Sequence, residues 1–298
     1  APWNQAPSIT TRSRLAMALT LTSSLSLSGC PDKQPTTQPD APPTEQQGSI
    51  EPEAKDTPAL AERSAPAPSA TGDGLVLAYS RFEGTKPAPA RFELVYPTAD
   101  GWRSEVVDDG DSNVFHKLLP FPSGDAPEGL LSLGASKARV KLWRREGEGW
   151  RARTLWEASF GGKFDRMRDA ELGDVDGDGV DELVVGTHDQ GVMAILDPDG
   201  ENWKVEQIDR IPDTFIHEVE LGDLDGDGKL EIYATPSEPN KLDTGAQPGR
   251  VVRYRPGSKP GHVVVAELGE RHAKEIYVGD VDGDGSDELY VAVEALTS

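Results

Sequence analysis

The sequence predicts an all-β chain built as a β-propeller and preceded by a disordered linker, on three observations. From residue 73 onward, short strand-like runs alternate with turn signals, and none of the runs has the period of an amphipathic helix. An acidic motif, Gly-Asp-x-Asp-Gly-Asp-Gly, begins at Gly173, Gly222 and Gly279, at spacings of 49 and 57 residues. A hairpin motif recurs in step with it, around Trp102, Trp150 and Trp203, with His262 in the fourth place, at spacings of 48, 53 and 59 residues. A strand-only unit repeating about every 50 residues is how propeller blades announce themselves.

The first 30 residues read as an address rather than as structure. Arg12 and Arg14 precede a modestly apolar run, Leu15 to Ser28, which ends in Leu27-Ser28-Gly29-Cys30. A basic region, a short apolar region and small residues before a cut are the parts of a secretory signal. Cysteine directly after Leu-Ser-Gly resembles the lipobox of bacterial lipoproteins. That resemblance implies lipidation of Cys30 and a membrane partner reached through a lipid anchor, at the outer membrane or surface of a bacterial envelope. Cys30 is the only cysteine, so no intrachain disulfide and no cysteine-based metal site can form. No run of apolar residues is long enough to read as a membrane-spanning helix. The chain opens at Ala1 without an initiator methionine, and truncation at either end is expected.

Residues 31–72 contain nine prolines among Thr, Gln, Ser, Ala and Glu, without apolar periodicity. Such a segment cannot bury enough surface to offset its ordering entropy, so a solvated tether is expected. The propeller is expected over 73–298. One repeat reads as strand A over 167–173, the acidic loop, strand B over 182–187, strand C over 191–197, the Trp hairpin, and strand D over 202–210. The preceding unit, 112–158, keeps its hairpin but has Pro122 to Glu128 where the acidic loop should be. Strand candidates at 74–81, 91–98 and 102–109 come earlier, and one at 287–293 follows the third loop. The count gives about four blades, closed by pairing the two ends, or a fragment of a larger ring.

Net charge is −22, which excludes nucleic acid as a natural partner. The three loops hold 14 of the 52 acidic residues. Carboxylates packed so closely repel one another unless a cation lies among them. In the first loop Asp174, Asp176 and Asp178 converge, Val180 offers a backbone carbonyl and Glu182 closes the shell. The second loop sets out Asp223, Asp225, Asp227, Lys229 and Glu231 in the same way, and the third Asp280, Asp282, Asp284, Ser286 and Glu288. All-oxygen ligands in an irregular loop suit calcium, so about three structural Ca2+ ions are expected. The twelfth position is Val185, Ala234 or Val291 rather than glutamate, and the flanks are strand-like, which rules out an EF-hand.

At Phe160-Gly161 and again from Leu172 to Thr187 the sequence resembles an FG-GAP repeat of the VCBS type, the unit of the calcium-binding propeller in the integrin alpha-subunit head. The second and third loops share the Gly-Asp-x-Asp-Gly-Asp-Gly core without the Phe-Gly lead. The resemblance covers about 112–293. It implies calcium on one rim and ligand contacts on the opposite face, and its members are often seven-bladed.

That opposite face is expected to carry the B–C loops Glu83–Ala90, His188 to Gln190 and Ser237–Arg250. Aligning the A strands on their loops puts Arg168, His217 and Lys274 in one register, each followed by an acid. With His188 these form the candidate ligand face. Ordinary polar strand starts making local ion pairs would look the same. No nucleophile elbow or His-Glu-x-x-His motif is present, and the five histidines occur singly. Trp102, Trp150 and Trp203 read as hairpin packing residues. The expected function is therefore non-catalytic, a surface-anchored binding or adhesion module for a protein or polysaccharide. The alternatives are a polysaccharide-active enzyme resembling the rhamnogalacturonan lyases, for which the folded part is short, and a structural envelope scaffold.

Overall fold

The computed structural model describes residues 74–298 apart from 100, 123–127, 136, 163–164, 240–245, 259–260 and 295–298. The signal segment with Cys30 and the 31–72 linker lie outside the described residues. Seventeen antiparallel strands make five sheets, and among the described residues there is no helix. The first sheet contains β1 (Leu75–Glu83), β2 (Lys86–Thr98) and β3 (Gly101–Asp109). The second contains β4 (Phe115–Phe121), β5 (Gly129–Gly134), β6 (Ala138–Glu146) and β7 (Gly149–Ala158). The third contains β8 (Met167–Gly173), β9 (Glu182–Thr187), β10 (Val192–Asp199) and β11 (Asn202–Arg210). β12 (Phe215–Gly222), β13 (Glu231–Ser237), β14 (Arg250–Tyr254) and β15 (Val263–Glu267) form the fourth, and β16 (Ala273–Gly279) with β17 (Glu288–Val293) the fifth.

Each sheet is an up-and-down meander in chain order, which is how a propeller blade is wound. The strand limits predicted for the third sheet agree with those observed to within a residue or two. Sheets stack in sequence, and each of the four seams has its own apolar cluster. Leu131, Leu133 and Leu142 meet Met167, Leu183 and Leu196 between the second and third sheets. Val184, Met193 and Ile195 meet Ile216, Val219 and Ile232 between the third and fourth. The first seam is closed by Phe92, Phe115 and Trp143, and the last by Tyr233, Ile276 and Val278.

Sandwiching explains the burial pattern. Strands β5, β9 and β13, second in their sheets, are buried along their whole length, because both faces meet a neighbouring sheet. Each Val or Leu so enclosed stabilises the fold by roughly 1.5–3 kcal/mol. By register β1 is their counterpart, yet it is exposed over most of its length, since no described sheet lies before it. The innermost strands β4, β8, β12 and β16 touch one another in that order, so they run beside the common axis.

The seventeen strands make three four-stranded sheets flanked by sheets of three and two strands, in keeping with about four blades, and among the described residues no pairing joins β17 to β1, β2 or β3. One expectation needs correction. The segment Glu83–Ala90 is not a loop. Strand β1 runs to Glu83 and β2 starts at Lys86, with Phe82 paired to Pro87. Pro87 and Pro89 point outward while Ala88 and Ala90 are buried, so the prolines lie on the side where their ring meets solvent.

Candidate functional site

The acidic loops join the first and second strands of the third, fourth and fifth sheets, at one end of the strands. Glycines at their fourth and sixth positions carry φ between 72° and 94°, in Gly177, Gly179, Gly226, Gly228, Gly283 and Gly285. Only glycine takes this conformation at no steric cost, which is why the motif spaces its aspartates with it. In the first loop Asp174 accepts the amides of Gly177 at 2.7 Å and Gly179 at 3.0 Å, while Asp178 accepts that of Val180 at 2.8 Å. The third loop repeats this geometry with Asp280, Gly283, Gly285, Asp284 and Ser286.

The ninth residue separates the loops. Glu182 accepts the amide of Val175 at 2.8 Å, and Glu288 that of Val281 at 3.0 Å, so both fold back over their aspartates. Ligand oxygens of Asp174, Asp176, Asp178 and Glu182 lie within 4.8 Å of one another, as do those of Asp280, Asp282, Asp284 and Glu288. In the second loop only Asp223, Asp225 and Asp227 converge. Glu231 accepts instead from the Tyr233 hydroxyl at 2.6 Å and from Arg255 at 3.0 Å, and pairs with Arg253 at 3.1 Å. The expected place of Glu231 in the shell is thus not the one it takes.

A divalent cation fits the first loop. Glu182 is 0% exposed, and its Oε1 has no hydrogen-bond partner. Burial, with Asp176 and Asp178 beside it, pushes its carboxyl above the ordinary range, although the Val175 amide works against this. A buried carboxylate oxygen left without a partner costs free energy that a cation at this point would recover.

At the opposite end of the strands the predicted ligand-face residues come together. Each innermost strand has a break in register at a corresponding place, at His116, at Arg168, at His217-Glu218 and at Lys274. A bulge leaves its residue outside the ladder and re-aims its side chain. Arg168 Nε donates to the His217 carbonyl at 3.2 Å, and its Nη2 lies 3.7 Å from Glu218. The ring centroids of His188 and His217 are 5.9 Å apart, and those of His217 and His272 4.7 Å. Lys274 stands further along, paired with Glu294 at 2.5 Å.

Sequence reasoning missed most of the supporting residues. Phe215 lies 4.0 Å from His188, centroid to centroid. Ser237 and Gln247 hold His217 at 3.0 and 3.2 Å. Arg166 bonds His188 at 2.7 Å and Asp189 at 2.9 Å. Burial and the surrounding cations keep the histidines neutral, His217 down to about 2 and His116 to about 3. Burial pushes Asp189 upward, but His188 and Arg166 outweigh it and leave its carboxyl well below the usual range. The signal available was the recurrence of a His or a cation near the start of every innermost strand.

The tryptophans divide. Trp203 packs on Phe121 of the preceding sheet, with ring centroids 5.0 Å apart, and Trp150 on Phe92 at 5.8 Å. Trp102 has no described sheet before it and is 66% exposed, so the packing expectation fails there.

Comparison with known proteins bears on this rim-to-rim arrangement. An FG-GAP-like repeat matches residues 174–234. The match begins at the first aspartate of the first loop and ends in β13, after the second loop. The FG-GAP-like repeat therefore spans one complete step from acidic loop to acidic loop, through the hairpin between β10 and β11. No curated protein matches the chain.

Proposed function

We propose that the chain is a calcium-stabilised β-propeller that acts as a non-catalytic binding module, lipid-anchored at Cys30 in a bacterial envelope and capturing a protein or polysaccharide on the rim opposite its acidic loops. The observation that carries this reading is the repeated bulge. Each innermost strand breaks register at a corresponding place, at His116, Arg168, His217 and Lys274. A bulge frees its residue from backbone pairing and re-aims its side chain, so the recurring bulges favour a recognition surface. The matched FG-GAP-like repeat supports a module of this type.

Asp174, Asp176, Asp178 and Glu182, with the carbonyl of Val180, would hold one ion. Asp280, Asp282, Asp284 and Glu288, with the carbonyl of Ser286, would hold another. Bound calcium supplies the positive charge that cancels carboxylate repulsion and pins the turn between two strands. Its protein ligands would all come from a single turn between two strands, which favours a structural role. Phe215 packs against His188 beside polar donors, a combination suited to a sugar ring or a polar peptide.

The test is capture of envelope polysaccharides and peptides by the full chain, compared with the double variant Arg168→Ala/His217→Ala and with Trp102→Ala. Loss of capture in the first and retention in the second is expected. Equal capture by all three would place the binding surface elsewhere. Depolymerisation of the captured polysaccharide would favour the enzyme resembling rhamnogalacturonan lyases, and absence of any capture the structural scaffold.

A further inference from the structure

The three acidic loops share one motif but not one electrostatic environment. Along the ladder between β13 and β14, Ile232 pairs with Tyr254, so the next step outward sets Glu231 against Arg255. The same step between β9 and β10, where Leu183 pairs with Leu196, sets Glu182 against Asp197. Between β5 and β6, in the sheet without an acidic loop, Gly129 pairs with Arg144. This register position is therefore cationic in the second and fourth sheets and anionic in the third.

Arg255 uses the position fully. Its guanidinium bonds Glu231 through Nε and Nη2, both at 3.0 Å, and makes an ion pair with Asp225. A guanidinium is permanently charged, and its planar fork holds two carboxylates at fixed angles. The loop is braced from a second side as well, since Asp287 of the fifth sheet accepts the amide of Asp223 at 2.9 Å. The first loop, by contrast, leaves the buried Glu182 Oε1 without a partner.

We propose that Arg255 is a built-in counter-ion of the second loop. It engages Asp225 and Glu231, two of the carboxylates a divalent cation would require, and does the cation's structural work. The chain then takes up two calcium ions tightly, in the loops of Asp174–Glu182 and Asp280–Glu288. The loop of Asp223–Glu231 stays metal-free at concentrations that fill the other two. This rests on the calcium reading given above.

The experiment is calorimetric titration of the chelator-stripped full chain with calcium, repeated for Arg255→Gln and Asp197→Arg, with terbium luminescence as a second probe of occupancy. Two tight sites are expected in the unaltered chain. Arg255→Gln should gain a third, its affinity raised about tenfold or more by the freed Asp225, while Glu231 keeps Tyr233 and Arg253. Asp197→Arg should lose one of the two, because it moves the counter-ion to the first loop, and this arm stands even if Arg255→Gln fails to fold. Three equal sites in the unaltered chain would overturn the proposal while leaving the calcium reading intact. So would two sites in a folded Arg255→Gln, or two in Asp197→Arg. No calcium uptake by any of the three would instead sink the calcium reading itself.

Discussion

Asp169 accepts the backbone amide of Val219 at 2.7 Å across the seam between the third and fourth sheets. Its other carboxylate oxygen lies 2.9 Å from the Lys117 ammonium of the second sheet. One buried side chain thus ties three consecutive sheets together beside the axis. The bulge in β12 is what makes this possible, because the break between Ile216 and Val219 takes that stretch out of the ladder. Asp169→Ala would leave the Val219 amide without its partner and the partly buried Lys117 ammonium with Glu171 alone. A loss of about 3 kcal/mol is expected in urea unfolding. A loss within experimental error would show that Glu171, which also pairs with Lys117, is sufficient alone.

Stability should fall as the solution becomes alkaline. Burial, with Glu171 and Asp169 close by, raises the Glu220 carboxyl to about 8, and burial raises Glu218 as well. In the unfolded chain both ionise at the usual carboxylate range. Between that range and about pH 8 the folded state binds more protons, so its stability declines with rising pH. Melting in chelator across this window should show the decline. Glu220→Gln should flatten it and raise the melting temperature at its alkaline end by roughly 2–4 °C. An unchanged slope in that variant would refute the assignment.

Close approach of the innermost strands predicts a second stability effect. A Cβ built on Gly222 would lie 2.2 Å from Val278 Cγ1, across the last seam. Gly222→Ala must therefore push β16 outward, and overpacking of this kind costs about 1–3 kcal/mol. Gly84→Ala, in the open turn after β1, meets no atom within 4 Å and isolates the backbone contribution, since Gly84 also has a positive φ. The measurement is the difference between the two melting temperatures, with the Gly222 variant the lower.

Calcium should stabilise the fold, and Glu182 should report on it. A site filled at a hundredfold excess over its dissociation constant adds about 2.7 kcal/mol. Glu182→Gln removes the buried negative oxygen, so its gain in melting temperature on adding calcium should be smaller than that of the unaltered chain. Glu105→Gln, far from the loops and bonded to Arg145 and Trp150, should leave the calcium-dependent gain intact. Equal gains in all three proteins would remove Glu182 from the metal shell.

Trp203→Ala should cost about 3 kcal/mol, since its indole fills the seam against Phe121. Trp102→Ala should be close to neutral, because that ring is mostly solvated. Paired chemical denaturation curves decide the matter. A large effect at Trp102 would mean that something covers the first sheet in solution.

Much of the fold and part of the site could be read along the chain, because the relevant forces are local. Alternation and turn residues define the strands of the third sheet to within a residue or two, since pleat and turn conformations depend on neighbours in sequence. Spacing of Asp and Gly determined the acidic loops, whose internal hydrogen bonds span at most seven residues. The shared register of Arg168, His217 and Lys274 was visible for the same reason. Only tertiary structure decided which groups meet across sheets. The His217–His272 contact, the Asp169–Val219 bond and the capture of Glu231 by Arg255 join residues 55, 50 and 24 apart. Their partners are chosen by how one blade stacks and pairs against another, a geometry that strand periodicity does not encode. The exposure of β1 and Trp102 has the same origin, for burial depends on whether a neighbouring sheet is there to cover the face.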